Sequence, residues 1–349
     1  MLLNRDDCQV LRGLAILGIF IHNFCHLLKW ATHENEFSFS QENDVYFWNH
    51  VLSTDFVVHF FSYLGHLGVP IFVFLTGYGL SIKYGREDSK KVDTMLFFTA
   101  HFEKLLYPML LGLLLFYGVY LLINDSLWEG WITSLITQVT MTGNFTLHPN
   151  MTIKPGPYWY FGLTMQLYLI YRLIIHNRMR RTFILVLTMS FAALLFMKSH
   201  YYLLVWFKYN ALAWLFPFTL GVMSVGTSNK MGRGRWAVVS FVSGVVILWA
   251  GSNYYSWLMI PVLTVPFFIG ICKILPRPVY ETFILLGNLS LYIFVIHPIV
   301  RELIFTLLPN NIWYVNLLIY IVVVILGAFL LLWLDKHLKS IIYQKAGRN

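Results

Sequence analysis

Apolar runs of about twenty residues recur along the chain, each closed by a short polar or basic break, and a helix of that length matches the hydrocarbon thickness of a bilayer. Ten such segments are predicted, at about residues 8 to 30, 66 to 84, 97 to 123, 158 to 176, 181 to 198, 203 to 225, 236 to 251, 255 to 274, 282 to 306 and 312 to 335. Lys208-Tyr209-Asn210 and Pro217 predict an interruption within the sixth.

The breaks alternate in charge. Lys83, Arg86, Lys90, Lys91 and Lys104 mark the break after the second segment, and Arg172, Arg178, Arg180 and Arg181 the one after the fourth. Lys230, Arg233 and Arg235 follow, then Lys273 and Arg277, then Lys336, Lys339, Lys345 and Arg348 in the tail. The loops between them are nearly free of basic residues, and the first is acidic through Glu34, Glu36, Glu42, Asp44 and Asp55. Cytoplasmic loops concentrate Lys and Arg. The expected fold is therefore an all-α polytopic integral membrane protein of ten transmembrane helices, both termini cytoplasmic, forming one integral domain over 1–349. Two exterior segments exceed what a connector needs. The first, 31 to 65, ends in an apolar run expected to lie along the surface or re-enter. The second, 124 to 157, carries Trp128 and Trp131 in a predicted interfacial helix, then the turn-forming Lys154-Pro155-Gly156-Pro157.

Composition agrees, with 58% hydrophobic and only 12% charged residues against roughly a quarter charged in soluble domains. The formal charge of +9 is spread loop by loop rather than gathered in one patch, which speaks for topology and against nucleic acid. Cys8, Cys25 and Cys272 have no disulfide or metal spacing, so no metal is expected. No cleavable signal peptide is expected in the first apolar run, which continues into Cys25-His26-Leu27-Leu28. The one partner that composition names is the lipid bilayer, and a homo-oligomer is left open.

Within the first segment stand Arg12, His22, Asn23 and His26, and such groups at membrane depth are costly unless they line an enclosed cavity. A rise of about 1.5 Å per residue separates Arg12 from His22 by roughly 15 Å, half the hydrocarbon core. Arg12 suits a phosphate or carboxylate through its fixed fork of donors, and His22 suits proton transfer near neutral pH. The same residues also suit a snorkelling arginine and histidines satisfied by packing.

Four stretches carry a resemblance. Arg12-Gly13-Leu14-Ala15 with His22, Gly68-Val69-Pro70 through Thr76-Gly77-Tyr78, Tyr158-Trp159-Tyr160-Phe161, and Gly287-Asn288-Leu289-Ser290-Leu291-Tyr292 ending in His297-Pro298 together resemble the bacterial membrane acyltransferase family 3. The similarity covers essentially the whole chain. It implies a ten-helix membrane domain in the bacterial inner membrane, transferring an acyl group, usually acetyl, from cytoplasmic acyl-CoA to a hydroxyl of an envelope glycan or glycolipid. It implies that Arg12 and His22 are essential, and that Lys104, in a segment resembling the family's basic motif, binds CoA phosphates with Arg12. Asn23 or Tyr292 would stabilise the oxyanion.

Two departures stand out. The family usually places about ten residues between arginine and histidine, whereas nine intervene here, turning His22 away from the Arg12 face by about 80°. A π-bulge in Gly18 to Phe24, a meeting across a cavity, or a share of the task for His26 would each accommodate this. Gln166 stands where many members carry a glutamate.

The remaining polar positions admit two readings each. Gly68 to Tyr78 suits close packing, with Thr76 or Tyr78 facing a cavity as the alternative. His297 and Arg301, four apart, either contact the acceptor or form an internal pair with Glu302. Tyr158 and Trp159 either stack on sugar or anchor at the interface. A transporter or flippase of an envelope glycan or acylated small molecule is the rival function, though no paired halves with broken helices are visible. A non-catalytic assembly factor would leave Arg12, His22, His297 and Arg301 without a role.

Overall fold

In the computed structural model, residues 1–34, 39–85, 93–176, 180–197, 200–309 and 312–345 are described, and among them the secondary structure is helical throughout, with no strand. Glu36, Arg86, Lys90, Lys91, Arg178 and Arg348, which contribute to the loop-charge pattern, lie outside the described residues.

In chain order the helices are α1 (Arg5–Cys25), α2 (Gln41–Asn49), α3 (Phe56–Leu64), α4 (Gly68–Tyr84), α5 (Thr94–Asn124) and α6 (Trp131–Val139). Then come α7 (Pro149–Thr152), α8 (Trp159–Ile170), α9 (Arg180–Met197), α10 (Tyr201–Lys208) and α11 (Ala211–Met223). The last are α12 (Arg233–Ala250), α13 (Tyr254–Trp257), α14 (Ile260–Ile274), α15 (Arg277–Leu307) and α16 (Trp313–Lys345).

Every predicted segment is helical, but length does not give ten spans. Among the described residues six helical stretches are long and apolar enough to cross a membrane, namely α1, Phe56–Tyr84, α5, α12, α15 and most of α16. The segments expected at 158 to 176, 203 to 225 and 255 to 274 are shorter or interrupted, and α9, at 181 to 198, has 18 residues. The apolar run that ends the first exterior segment is no separate element. α3 passes through a 3-10 turn at Gly65–Leu67 into α4, so the second span starts well before residue 66.

The chain divides into two compact units: Met1–Phe98 with Leu163–Asn288, and Thr99–Gly162 with Leu289–Asn349. In the first, α4 packs on α11, α12 on α14, and α1 on α3 and α4. Lipid tails supply no hydrophobic drive between helices, so association depends on close fit. Gly77 on α4 and Gly221 on α11 provide it, since a methyl on either would strike the carbonyl oxygen of Phe218 or Phe74. Thr76 donates to the Phe72 carbonyl of its own helix (2.8 Å), and Tyr78 Oη to the Leu3 carbonyl (2.9 Å).

α1 starts where Asn4 Oδ1 accepts the Asp7 amide (2.7 Å) and Asp7 Oδ2 accepts the Asn4 amide (2.8 Å), a reciprocal cap. Asp7 is buried and pairs with Lys273 Nζ at the end of α14 (2.7 Å), while Tyr280 Oη donates to its other oxygen (3.1 Å). Removing one partner of such a buried pair costs about 3–5 kcal/mol, so the depth of α1 is strongly fixed. The break expected in the sixth segment falls at Tyr209-Asn210, between α10 and α11. Gln166 closes it, donating to Asn210 Oδ1 (3.1 Å) and accepting from the Ala211 amide (2.9 Å). A carboxylate has no donor for the first of these bonds.

In the second unit α6 contains Trp131, with Trp128 just before it rather than within it. The Trp128 ring meets Tyr120 (5.0 Å) and Tyr117 (5.1 Å), and Lys154 Nζ lies over it at 4.9 Å. Asn144 Nδ2 donates to the Trp159 carbonyl (2.9 Å). α16 buries 28% of its apolar residues, against 61% in α1, and is the more exposed of the two helices.

Candidate active site

The polar residues of α1 occupy an unbroken α-helix, so no π-bulge realigns Arg12 with His22. The two stand about 80° apart around the axis and roughly 15 Å apart along it. Arg12 is half-buried, donates from Nη1 to Gln9 Oε1 (3.2 Å) and lies within electrostatic reach of Tyr168. Among the described residues no carboxylate stands within ion-pair distance of it.

His22 is set by a neighbouring element. Its Nδ1 lies 3.0 Å from the carbonyl oxygen of Phe61 on α3. A carbonyl only accepts, so Nδ1 of the neutral ring carries the proton and Nε2 the basic lone pair. Gly65 makes this approach possible, because a Cβ there would come within 2.6 Å of His22 Cβ and 2.7 Å of the Gly18 carbonyl oxygen. Asn23 spends an amide proton on the Ile19 carbonyl of its own helix (2.9 Å).

His22 is one ring of four. Its centroid lies 4.9 Å from His26 and 5.5 Å from His66, and His26 lies 4.8 Å from His33. The set grades from buried His22 and His66 through half-buried His26 to exposed His33. His66 also packs against Trp257 (5.8 Å), and its buried Nδ1 has no hydrogen-bond partner among the described residues. His33 and His66 escaped the reading of the sequence. The available signal was His66 inside an apolar run, two residues before the Gly68 stretch.

The other expected site residues belong to the second unit. Lys104 is exposed on α5. Tyr158 is buried and donates to the Val295 carbonyl (2.9 Å), with Phe161 at 5.3 Å, which fixes it as packing; Trp159 is half-buried. Tyr292 Oη donates to Asp335 Oδ2 (2.7 Å), which also pairs with Lys339 (2.7 Å), so its proton is directed into a polar network. Asp335 was not singled out from the sequence. His297 is fully buried on α15, its Nδ1 3.2 Å from the Ile293 carbonyl one turn back, and its Nε2 has no hydrogen-bond partner among the described residues. Arg301 is half-buried one turn on, with Tyr320 and Glu302 as electrostatic neighbours.

No group of three or more potential metal ligands occurs among the described residues. The α1 arrangement offers an oriented base about 15 Å along the helix from a cationic fork, which suits general-base chemistry on a long, anionic substrate. In comparisons with known proteins, the family model for acyltransferase family 3, described as an acyltransferase domain, matches residues 6–334. No curated protein and no solved structure matches the chain.

Proposed function

The chain belongs to acyltransferase family 3, and on that premise we propose that it moves an acetyl group from cytoplasmic acetyl-CoA to a hydroxyl of an envelope carbohydrate or glycolipid. In this reading it is a ten-span protein of the bacterial inner membrane with both termini cytoplasmic. The observation that carries the reading is the bond from His22 Nδ1 to the Phe61 carbonyl, which leaves Nε2 as the base.

Donor phosphates bind at Arg12 through charge-assisted bonds. The extended pantetheine arm covers the roughly 15 Å of helix to His22 and brings the thioester beside it. As the acceptor oxygen attacks the thioester carbon, His22 Nε2 takes the hydroxyl proton. The carbon–sulfur bond then breaks, and the departing thiolate receives that proton from His22, so that ester and free CoA are formed with protons balanced. A second amide proton of Asn23 stabilises the oxyanion.

Purified protein in lipid nanodiscs, given radiolabelled acetyl-CoA and an extracted envelope fraction, is expected to move label into glycan or glycolipid. If wild-type protein neither binds nor consumes acetyl-CoA or longer acyl donors, this reading fails and transport of an envelope glycan takes its place.

A further inference from the structure

The basic cluster after α8 entered the sequence reading only as a topology signal, yet one of its members is held with unusual care. α8 ends in a π-helical turn, Tyr171–Ile175, closed by the His176 amide on the Tyr171 carbonyl (2.7 Å). Such turns are rare and concentrate at functional positions. This one carries Arg172. Its Nε donates to Thr94 Oγ1 (3.2 Å) and its Nη1 lies 3.1 Å from His176 Nδ1. His176 Nε2 is 2.8 Å from the Tyr84 carbonyl. Since that oxygen only accepts, Nε2 holds the proton and Nδ1 accepts from Arg172. A hydroxyl and a neutral imidazole thus orient the guanidinium, and Tyr171 Oη pins the turn to the Leu80 carbonyl (3.1 Å).

The surroundings match a nucleotide-bearing donor. Tyr168, one turn before Arg172, lies within electrostatic reach of Arg12. Its ring meets Phe97 (6.4 Å), Phe97 meets Tyr84 (5.0 Å), and exposed Lys83 lies over Tyr84 at 5.0 Å. These three rings are buried, and Arg12, Lys83 and the oriented Arg172 are the cations beside them, all within the first unit. Three cations around one packed cluster suit a donor that carries several phosphates better than a single bare anion.

We propose that Arg172, positioned by the π turn, Thr94 and His176, anchors a phosphate of the nucleotide portion of the acyl-CoA donor. This rests on the acyl-CoA reading above. A phospholipid headgroup offers the same phosphate chemistry at a membrane interface, and the test separates the two sources.

The experiment measures kcat and KM of the full chain in nanodiscs with acetyl-CoA, 3′-dephospho-acetyl-CoA and phosphate-free S-acetylpantetheine, with and without anionic lipid, for wild type and Arg172→Gln. The expected result is a KM for acetyl-CoA raised about 10- to 100-fold, the loss disappearing with S-acetylpantetheine and keeping its size in both lipid mixtures. Arg172→Lys, which keeps the charge but not the fork, is expected to show the same donor-dependent rise at smaller size, and it serves if Arg172→Gln does not fold. Equal losses on all donors, or no change on any, would overturn the anchor in favour of a structural role. A loss that vanishes without anionic lipid would overturn it in favour of a headgroup. If wild type accepts none of the three donors while folded, the acyl-CoA reading itself falls and the anchor with it.

Discussion

His22 in α1 and His297 in α15 are both buried histidines of long apolar helices, and both direct Nδ1 at a carbonyl oxygen. For His22 that oxygen belongs to Phe61 on another helix, and the ring continues through His26 to exposed His33. For His297 it belongs to Ile293 on the same helix, and the ring is sealed in against Phe294 (5.8 Å) with Arg301 one turn on. The tautomer is the same, so what separates the two is access. A base must be reached by the acceptor hydroxyl and the leaving thiolate at every turnover, and a ring in a cluster that opens to the surface is suited to that; a sealed ring is suited to holding one fixed hydrogen bond.

Four substitutions can break or sharpen this contrast. Arg12→Gln removes the fork on the His22 side, and kcat/KM for acetyl-CoA is expected to fall about 100-fold, the worth of charge-assisted hydrogen bonds at about 1.5–3 kcal/mol. His297→Phe replaces the sealed imidazole by an apolar ring and loses one hydrogen bond, so the expected loss is about 0.5–1.5 kcal/mol of stability, read as a lower melting temperature, with transfer changed less than about tenfold; a transfer loss as large as that for Arg12→Gln would erase the distinction. Gly65→Ala forces the α3–α4 turn away from His22 Cβ, with about 1–3 kcal/mol lost from stability, as overpacking costs, read as a lower melting temperature, and with transfer slowed while His297 is untouched.

The smallest effect is expected at Asp44 on α2. Burial raises the pKa of its carboxyl above the ordinary value although Tyr63 Oη donates to it (2.9 Å). A carboxyl with a raised folded pKa binds its proton more tightly when folded, so its contribution is best below the unfolded pKa and declines as pH rises through the folded one. Asp44→Asn, still able to accept from Tyr63, should therefore melt about 2 °C higher at pH 7 and show a flatter pH dependence across the acidic range, with both histidines unaffected.

Much of the fold is legible in the sequence because bilayer-length apolar runs leave little choice but helix. Lys208-Tyr209-Asn210 marked a true break for the same reason, polar groups interrupting an apolar run. Legibility stopped where tertiary contacts decide. The joining of α3 to α4 depends on Gly65 packing against α1, the π turn at Tyr171 depends on bonds to Leu80 and Tyr84, and the sequence pattern of neither differs from ordinary helix. Arg12, His22 and His26 stood out as polar residues in an apolar segment. His66 joined them only when the fold brought Gly65 onto α1. Tyr158 and Tyr292 drew attention through their motifs, and the structure binds both hydroxyls to internal partners.

The central claim is that His22, rather than His26, is the base. Transfer of labelled acetyl by His22→Ala and His26→Ala, each confirmed folded by its melting profile, tests it most directly. General-base catalysis contributes about 10²- to 10⁴-fold, so His22→Ala is expected to lose at least about 100-fold, with His26→Ala losing less than about tenfold. A His22→Ala enzyme that keeps its rate while His26→Ala loses it would contradict the account.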